Sequence, residues 1–558
     1  MKFKNFIFYT GLWLYLIIVV VELCVLQEAN VTLNNTPIAY LFAVIIPSVL
    51  PVEITLTNRK REKAGHRDFG FMDAIGKRKV TEHETKEYRD SAYPEIPSKY
   101  LSDVPYDLVL GKIGKKYIRV PIIRDGLNGF ILGNVGSAKT TLLIGWLLSR
   151  LYVAQHSKDA LKWNFFVIDI KGEIYQKVLK IKGKYRAEDN QKIQVIQPCN
   201  RASWGWDVLY RIHKPRVTET EKLKAVTDIA DALIQESGDN SYFYDNAKKI
   251  LTGLLYHYIN RGYEFITIIQ MITRSNLDEL IERVVLEAEE QGEGITLDKL
   301  KGFVGKKDNE SLQDIQSTLL TYLDVFSYPD VVWALQLNPN RTSPSALDDG
   351  ETNLDLAIEQ GMLRTYQPLF RLITMQVLRH AEADFHETDE RNTLIICDEA
   401  SRIGKVEDLD GCMATLRSKH TGILLLFQSM HQFLDIYKQE KAYTILALCE
   451  LKLFLSGDGD KQTIEYVSTM AGEYKTARQN YDKKGIANSA NDVKYSDEYR
   501  NIVNSESMME LREKKEAIAF IYGKYLRFKK FMYFEDGTLG KLYREIEAFN
   551  ATNMEKEK

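Results

Sequence analysis

Cysteine is scarce in this chain: the sequence has five cysteines, scattered along its length with no CxxC pair. A disulfide scaffold or a cysteine-based zinc site is therefore not expected, and a reducing compartment is favoured. The nine histidines include no HExxH or other close pair. An excess of positive charge is also lacking, since 74 basic residues stand against 77 acidic ones. Bulk charge thus gives no argument for nucleic-acid binding, which would need local patches or a pore.

Glycine and proline are few as well, at 33 and 13 residues, while apolar residues make up 45% and charged residues 27% of the chain. This composition excludes a disordered, collagen-like or low-complexity protein and permits sizeable hydrophobic cores. At ~150 residues per domain, the length of 558 residues predicts three to four structural units.

Two long apolar runs lie near the amino terminus. Residues 6–26 carry a single charge, Glu22, and are long enough to cross ~30 Å of hydrocarbon as a helix. A signal peptide is the alternative, but the run exceeds a typical h-region and no small-x-small cleavage site follows it. The second run, residues 37–54, contains three prolines and is predicted as a second span because neighbouring helices can satisfy the backbone groups that proline leaves open.

The charges around these runs predict a transmembrane hairpin over residues 1–58. Lysines and arginines flank its outer ends, whereas the connector of residues 27–36 has neither. The positive-inside rule then places both ends in the cytoplasm, with the bulk of the chain there. Two buried core helices remain the alternative interpretation.

The rest of the chain divides into segments that differ in composition and in the spacing of their apolar residues. Residues 59–105 are charged and polar and are predicted as a cytoplasmic linker. Short apolar strands then alternate with helices, which favours an α/β fold with a mostly parallel, covered sheet. The predicted strands are a hairpin in LVLGKIGKKYIRVPI and the segments GFIL, WNFFVIDI, KIQVIQP, TLIIC, GILLLF, LKLFL and AIAFIY.

Residues 215–335 have the periodicity of helices throughout and are predicted as an all-α domain. This domain is expected to be inserted into the α/β domain, which then comprises residues 106–214 and 336–547. Residues 474–500 are polar and are expected to be mobile, and residues 548–558 form a short tail.

The sharpest motif follows the GFIL strand and opens a helix. It reads Gly133-Asn134-Val135-Gly136-Ser137-Ala138-Lys139-Thr140-Thr141 and matches the P-loop pattern GxxxxGK[ST]. In such a loop, consecutive N–H groups and the helix N-terminus cradle the β- and γ-phosphates of ATP. Lys139 would supply positive charge, and the Thr140 hydroxyl would coordinate Mg²⁺. A glycine-containing strand–helix turn and a degenerate, inactive loop are the alternatives.

Ala138 departs from the consensus, which has glycine at this position. If the residue needs a positive φ, alanine costs on the order of 1 kcal/mol. If its dihedrals are already helical, the cost is small. The sequence leaves both possibilities open.

The second half of the site is expected at the end of the TLIIC strand, where Asp398 and Glu399 follow. Asp398 would hold Mg²⁺ as a Walker-B aspartate does, and Glu399 would polarise the attacking water. Gln428, after the GILLLF strand, would sense the γ-phosphate or orient water. Arg417, on the helix between these strands, would act as an arginine finger on a neighbouring subunit. Helix capping and ordinary solvation are the structural alternatives for these four residues.

These motifs, together with VIDIKGEIYQ, SWGWDVL, IICDEASRIGKVEDLDGCMATLRSKHTGILLLFQS and FIYGKYLRFKKFMYFED, resemble the type IV secretion coupling proteins, the TraG/TraD-like ATPases of conjugation. The resemblance implies a RecA-like P-loop domain, an inserted all-α domain and a homo-hexamer in the bacterial inner membrane. It also implies that Lys139 and Thr140 are the Walker-A residues and that Asp398 and Glu399 are Walker B. Gln428 would match the family's glutamine after Walker B, and Arg417 would match the arginine that acts across subunits. The implied cofactors are ATP and Mg²⁺. The implied partners are relaxase-bound single-stranded DNA or secreted proteins, and the secretion channel.

Two other functions remain open. One is a coupling receptor that recruits protein substrates and hydrolyses ATP weakly, which Ala138 favours. The other is an FtsK-like DNA translocase. Candidate DNA contacts are residues 299–307 and 475–484, which are basic, and the aromatic run 242–244, but solvated loops for the basic segments and core packing for the aromatic run are the favoured interpretations.

Overall fold

The computed structural model describes residues 88–121, 126–156, 162–170, 172, 174, 192–235, 241–305, 310–350, 352–358, 360–383, 391–457, 460–480 and 494–556. The predicted transmembrane hairpin and most of the predicted linker lie outside these residues. Among the helices within them, none combines the length and hydropathy that a membrane crossing requires. The chain divides into two compact units, residues 1–90 with 474–500 and residues 91–473 with 501–558.

The second unit is built on a nine-stranded sheet. Its strands, in chain order, are β4 (Gly129–Leu132), β5 (Lys162–Asp169), β6 (Lys192–Ile196), β9 (Thr352–Ala357), β10 (Arg391–Cys397), β11 (Thr421–Phe427), β12 (Leu451–Phe454), β15 (Glu516–Ile521) and β16 (Lys524–Lys529). The spatial order is β16-β15-β12-β4-β11-β10-β5-β9-β6. The seven strands from β12 to β6 are parallel, and β15 and β16 extend the sheet antiparallel at one edge. The predicted α/β class with a mostly parallel sheet is confirmed.

Smaller sheets contain the other strands of the described residues. β1 (Leu101–Ser102), β2 (Leu108–Ile113) and β3 (Lys116–Val120) form an antiparallel sheet whose β2–β3 turn is the predicted hairpin. β7 (Gly205–Trp206) pairs with β8 (Arg341–Thr342). β13 (Glu473–Asn480) pairs with β14 (Lys494–Asn501), so two stretches of the polar segment 474–500 form strands.

The helices are α1 (Lys139–His156), α2 (Glu219–Leu233), α3 (Tyr242–Ile259), α4 (Phe265–Arg274), α5 (Leu277–Gln291), α6 (Gly294–Leu300), α7 (Glu310–Leu323), α8 (Pro329–Val332), α9 (Leu363–Ala383), α10 (Leu409–Leu416), α11 (Met430–Ala447), α12 (Lys461–Ala471), α13 (Ser505–Glu513) and α14 (Leu539–Lys556). Local signals set several ends. Thr218 and Glu221 form a capping box at the start of α2. Asn276 caps α5, which ends at the left-handed Gly292.

The sheet is buried on both faces, because side chains alternate between two hydrophobic clusters. On β5, Phe166 and Ile168 belong to one cluster, and Phe165 and Val167 belong to the other. Helix α1 packs in the second cluster through residues that include Leu142 and Trp146. This packing fixes α1 on one face of the sheet, with its N-terminus beside the carboxyl end of β4.

The helical run α2 to α8 leaves the α/β framework between β7 and β8. These two short parallel strands pair Gly205 with Arg341 and Trp206 with Thr342, so the chain leaves and returns at one place. Gly205 is required there, because a Cβ atom would lie 2.9 Å from the Asn338 Cβ and would also overlap the Ala334 carbonyl.

Candidate nucleotide-binding site

The predicted P-loop connects β4 to α1 and is tied to both neighbouring strands. The Gly133 N–H donates to the Phe427 carbonyl at the end of β11 at 3.1 Å. The Asn134 N–H donates to the Ser456 hydroxyl, just beyond β12, at 2.9 Å. The loop therefore begins in a fixed position between two strand ends, which is the preorganisation that a phosphate cradle needs.

Tight backbone geometry shapes the loop. A Cβ at Gly133 would overlap the Ser137 hydroxyl and would lie 2.9 Å from Leu455 Cβ, so only glycine fits there. Gly136 has a φ of 77°, which favours glycine. Ala138 has a φ of 80°. The possibility that the sequence left open is thus resolved: alanine occupies a left-handed position, at a cost on the order of 1 kcal/mol.

The cationic and hydroxyl groups of the loop fit a phosphate ligand. The Lys139 side chain is 7% exposed, and its ammonium group donates to the Gly133 carbonyl and lies 3.5 Å from the Asn134 carbonyl oxygen. The Ser137 hydroxyl is buried and has no hydrogen-bond partner within the described part of the chain. A buried hydroxyl without a partner is costly, and a bound phosphate oxygen would satisfy it. Thr140 and Thr141 are partly buried at the start of α1.

The acidic pair lies at the same edge of the sheet. Asp398 and Glu399 directly follow β10 and are 2% and 4% exposed. β10 is separated from β4 only by β11, and all three strands are parallel. With ~4.8 Å between strands, the ends of β4 and β10 lie about 10 Å apart. Side chains that project from both ends can span that distance through one hydrated Mg²⁺ ion.

Gln428 and Glu399 are in direct contact. The Gln428 amide, after β11, donates to the Glu399 carboxylate. Glu399 itself has left-handed dihedrals, with φ 58° and ψ 53°. A non-glycine residue in this conformation is held there by its surroundings, and such residues cluster at functional sites. The adjacent Asp398 N–H donates to the Ile168 carbonyl of β5 at 3.2 Å, which fixes the turn.

Arg417 lies at the opposite edge of the sheet. Its guanidinium group pairs with the Glu450 carboxylate at 2.9 Å, and that carboxylate also accepts the Asn128 N–H at 3.0 Å. Asn128 and Glu450 precede β4 and β12, whereas the P-loop follows β4. β4 alone is roughly 13 Å long at ~3.3 Å per residue. The structure therefore does not bring Arg417 to the nucleotide site of its own chain.

The predicted aromatic run is divided between surface and core. Phe243 and Tyr244 pack against the large hydrophobic cluster, and Tyr244 also contacts Tyr322 edge-on. Tyr242 is 49% exposed. Of the basic residues 299–307, Lys301 forms a surface ion pair with Glu289 at 2.9 Å. Residues 481–484 of the other basic segment lie outside the described residues.

Four charged residues near this edge were not predicted. Asp169 ends β5 beside Asp398, and Asp355 lies on the next strand, β9. Burial, and then the nearby Asp169 carboxylate, raise the pKa of Asp355 well above its ordinary value. Arg512 and Lys530 lie against the P-loop itself. Asp169 carries a weak sequence signal in VIDIKGE, but the other three have no local signal.

Comparison with known proteins gives a consistent result. A family model described as type IV secretory system conjugative DNA transfer matches residues 160–557, a range that contains the acidic pair but begins after the P-loop. The chain is 22% identical to protein VirD4 of Rhizobium rhizogenes over 189 residues, 34% of this chain and 28% of that protein. It is 23% identical to the conjugal transfer protein TraG of Rhizobium radiobacter over 324 residues, 56% of this chain and 49% of that protein. The chain thus matches half or less of the length of these curated relatives.

Solved structures show the same fold. The plasmid coupling protein TrwB in complex with the ATP analogue ADPNP aligns with a TM-score of 0.58 at 15% identity, over 78% of this chain and 91% of that one. TrwB in complex with ADP and Mg²⁺ aligns with a TM-score of 0.56 at 15% identity, over 74% of this chain and 87% of that one. At this identity, the similarity establishes the α/β architecture alone.

Proposed function

This chain belongs to the type IV secretory system conjugative DNA transfer family, and we propose that it is a coupling ATPase that drives delivery of a relaxase–DNA complex into a type IV secretion channel. The observation that carries the proposal is the meeting of the P-loop, Gln428 and the acidic pair at the carboxyl ends of three adjacent parallel strands. Ligands of open α/β sheets bind at this edge. That TrwB was solved with ADPNP and with ADP and Mg²⁺ supports the same site.

Each residue then has a defined task. The loop N–H groups and Lys139 bind the β- and γ-phosphates, and Thr140 and Asp398 hold Mg²⁺. Magnesium, when bound, supplies positive charge for the phosphate oxygens. Glu399 accepts a hydrogen bond from the attacking water and takes its proton, and the Gln428 amide holds the Glu399 carboxylate in place.

Arg417 is proposed to serve the nucleotide site of an adjacent subunit in a homo-hexamer. Its position supports a role in trans, because it lies at the edge of the sheet remote from its own P-loop and is half exposed. To reach a neighbour's γ-phosphate, its guanidinium group must exchange the Glu450 carboxylate for phosphate. An arginine supplied in this way lowers the barrier to hydrolysis substantially.

The wider architecture is also part of the proposal. The runs at residues 6–26 and 37–54 would anchor the protein in the bacterial inner membrane, with most of the chain in the cytoplasm. Residues 106–214 and 336–547 would form the RecA-like domain, and residues 215–335 would form the all-α domain that receives the cargo. The similarity to the conjugal transfer protein TraG supports a cargo that is moved in conjugation.

A second candidate is a receptor that recruits protein substrates and hydrolyses ATP weakly. The left-handed Ala138 favours it, because alanine replaces the consensus glycine at a position whose positive φ strains an L-residue. Phosphate release by the full-length protein, measured with and without single-stranded DNA, distinguishes the two. A coupling ATPase is stimulated by DNA, and Lys139→Ala abolishes the activity. Turnover that no DNA stimulates would favour the receptor.

A further inference from the structure

Two basic side chains from the carboxyl-terminal part of the second unit lie against the P-loop. Nη2 of Arg512 is 3.3 Å from the position that a Cβ atom would take at Gly136. Nζ of Lys530 donates to the carbonyl of Ser137 at 3.3 Å. Both residues come from more than 370 positions later in the sequence, so the sequence pattern of the loop gives no sign of them.

The fold holds Arg512 in this place through helix α13. The helix begins with a capping box between Asn504 and Ser507, which fixes its start. Met508 and Leu511 are fully buried, and Met508 Cβ packs 3.1 Å from the position of a Cβ at Gly457 in the loop after β12. Arg512 follows Leu511 and is exposed, so its long side chain lies along the surface of the P-loop.

Lys530 is fixed relative to the same helix. Its N–H donates to the carbonyl of Lys515, just beyond the end of α13, at 2.8 Å. A shift of α13 therefore moves the Lys530 backbone as well, and both cations approach the loop as parts of one structural unit. Lys530 contacts the carbonyl of Ser137. The hydroxyl of the same residue is buried without a partner among the described residues.

A single lysine leaves a triphosphate group incompletely neutralised, and further cations placed at a phosphate site strengthen binding. Arginine is well suited to this task because its planar fork of donors matches phosphate oxygens. Arg512 reaches the loop from the solvent side, where a bound polyphosphate would be accessible to it. Lys530 instead contacts a loop carbonyl, so it acts on the orientation of the peptide rather than on a ligand.

We propose that Arg512 is a nucleotide-binding residue supplied within the same chain, and that Lys530 is a positioning residue that holds the Ser137 peptide so that the loop N–H groups face the phosphates. The ligand class is a nucleoside polyphosphate. The inference rests on the proposed function, because it requires the P-loop to bind nucleotide. It adds to that function a connection between the nucleotide and the carboxyl-terminal helix α13.

The test is titration of the full-length protein in detergent with a fluorescent ATP analogue, paired with melting curves. Arg512→Gln is expected to weaken binding about tenfold or more, since a hydrogen bond to a charged group is lost. Arg512→Lys retains part of the affinity. Lys514→Gln, two residues on and paired with Glu510 at the surface, is the matched control and binds normally.

Lys530→Gln separates positioning from structure. Its melting temperature without nucleotide is expected to stay at the wild-type value, while the rise on adding ATP becomes smaller and is restored in Lys530→Arg. A lower melting temperature without nucleotide together with a normal ATP-induced rise would mean a purely structural role for Lys530. Wild-type affinity in Arg512→Gln would overturn the assignment of Arg512. Failure of the proposed function is distinguishable, because then the wild type itself does not bind ATP, or Lys139→Ala binds it equally well.

Discussion

Replacement of Ala138 by glycine tests the geometry of the P-loop. Ala138 has a φ of 80°, a conformation that costs an L-residue about 1 kcal/mol and costs glycine nothing. Glycine also gives the unfolded chain more conformational entropy, which lowers the stability of the folded state. At positions of positive φ, the relief of strain exceeds this loss of stability. Ala138→Gly is therefore expected to stabilise the protein by at most about 1 kcal/mol, measured as a higher denaturation midpoint of the full-length protein in detergent.

Ala381→Gly is the matched control. Ala381 lies within helix α9, where glycine costs about 1 kcal/mol, so this substitution is expected to destabilise the protein. The two changes are chemically identical and are made in a helical backbone conformation at Ala381 and in a left-handed one at Ala138. Equal destabilisation by both would refute the left-handed assignment of Ala138.

The same substitution has a consequence for nucleotide binding. If the strain at Ala138 opposes the shape of the loop that cradles phosphate, releasing about 1 kcal/mol strengthens ATP binding up to about fivefold. Ala138→Gly would then raise the rate of hydrolysis at low ATP concentration. An unchanged affinity would show that the strain is the same with and without nucleotide, which would remove the structural argument for a weak ATPase.

The remaining predictions concern hydrolysis, subunit contact and buried charge. Glu399→Gln is expected to keep ATP binding but to lower transfer frequency in mating assays at least ~100-fold, because a general base is lost; wild-type transfer would exclude that role. Co-expression of Arg417→Ala with Lys139→Ala should give more hydrolysis than either variant alone, since some interfaces then combine an intact lysine with an intact arginine; no gain would contradict a role in trans. The raised pKa of Asp355 means that the unfolded chain releases this proton first, so wild-type stability falls as pH rises from ~4 toward the raised pKa. Asp355→Asn should therefore melt higher than wild type at pH 7 and equally below pH 4, and a difference that does not vary with pH would contradict this.

The strands and the P-loop could be predicted from sequence because their signals are local. Apolar runs such as GFIL and GILLLF, with a glycine loop and an apolar helix after the first, determine β4, β11 and the start of α1. β9 was missed because Asn353 and Asp355 interrupt its apolar pattern. Asn353 is satisfied by accepting the Phe165 N–H at 3.1 Å, a contact between residues far apart in sequence that no local pattern reveals.

The sequence could predict only those site residues that lie shortly after the end of an apolar strand. Asp398, Glu399 and Gln428 directly follow apolar strands, and Lys139 ends the loop that follows another; in a parallel sheet such positions meet at one edge. Arg417 lies four residues before β11, so the parallel topology places it at the amino end of that strand, whereas its pairing with Glu450 depends on the order of the strands. The proximity of Arg512 to the loop likewise results from the packing of α13, so it emerges only once the chain is folded.

The most direct test of the central claim is a structure of the full-length protein with Mg²⁺ and a non-hydrolysable ATP analogue. We expect one Mg²⁺ ion about 2.1 Å from the Thr140 hydroxyl, connected to Asp398 directly or through one water, with the γ-phosphate beside Lys139 and Glu399. Nucleotide bound elsewhere, or a P-loop and an Asp398 too far apart to share that ion, would contradict it.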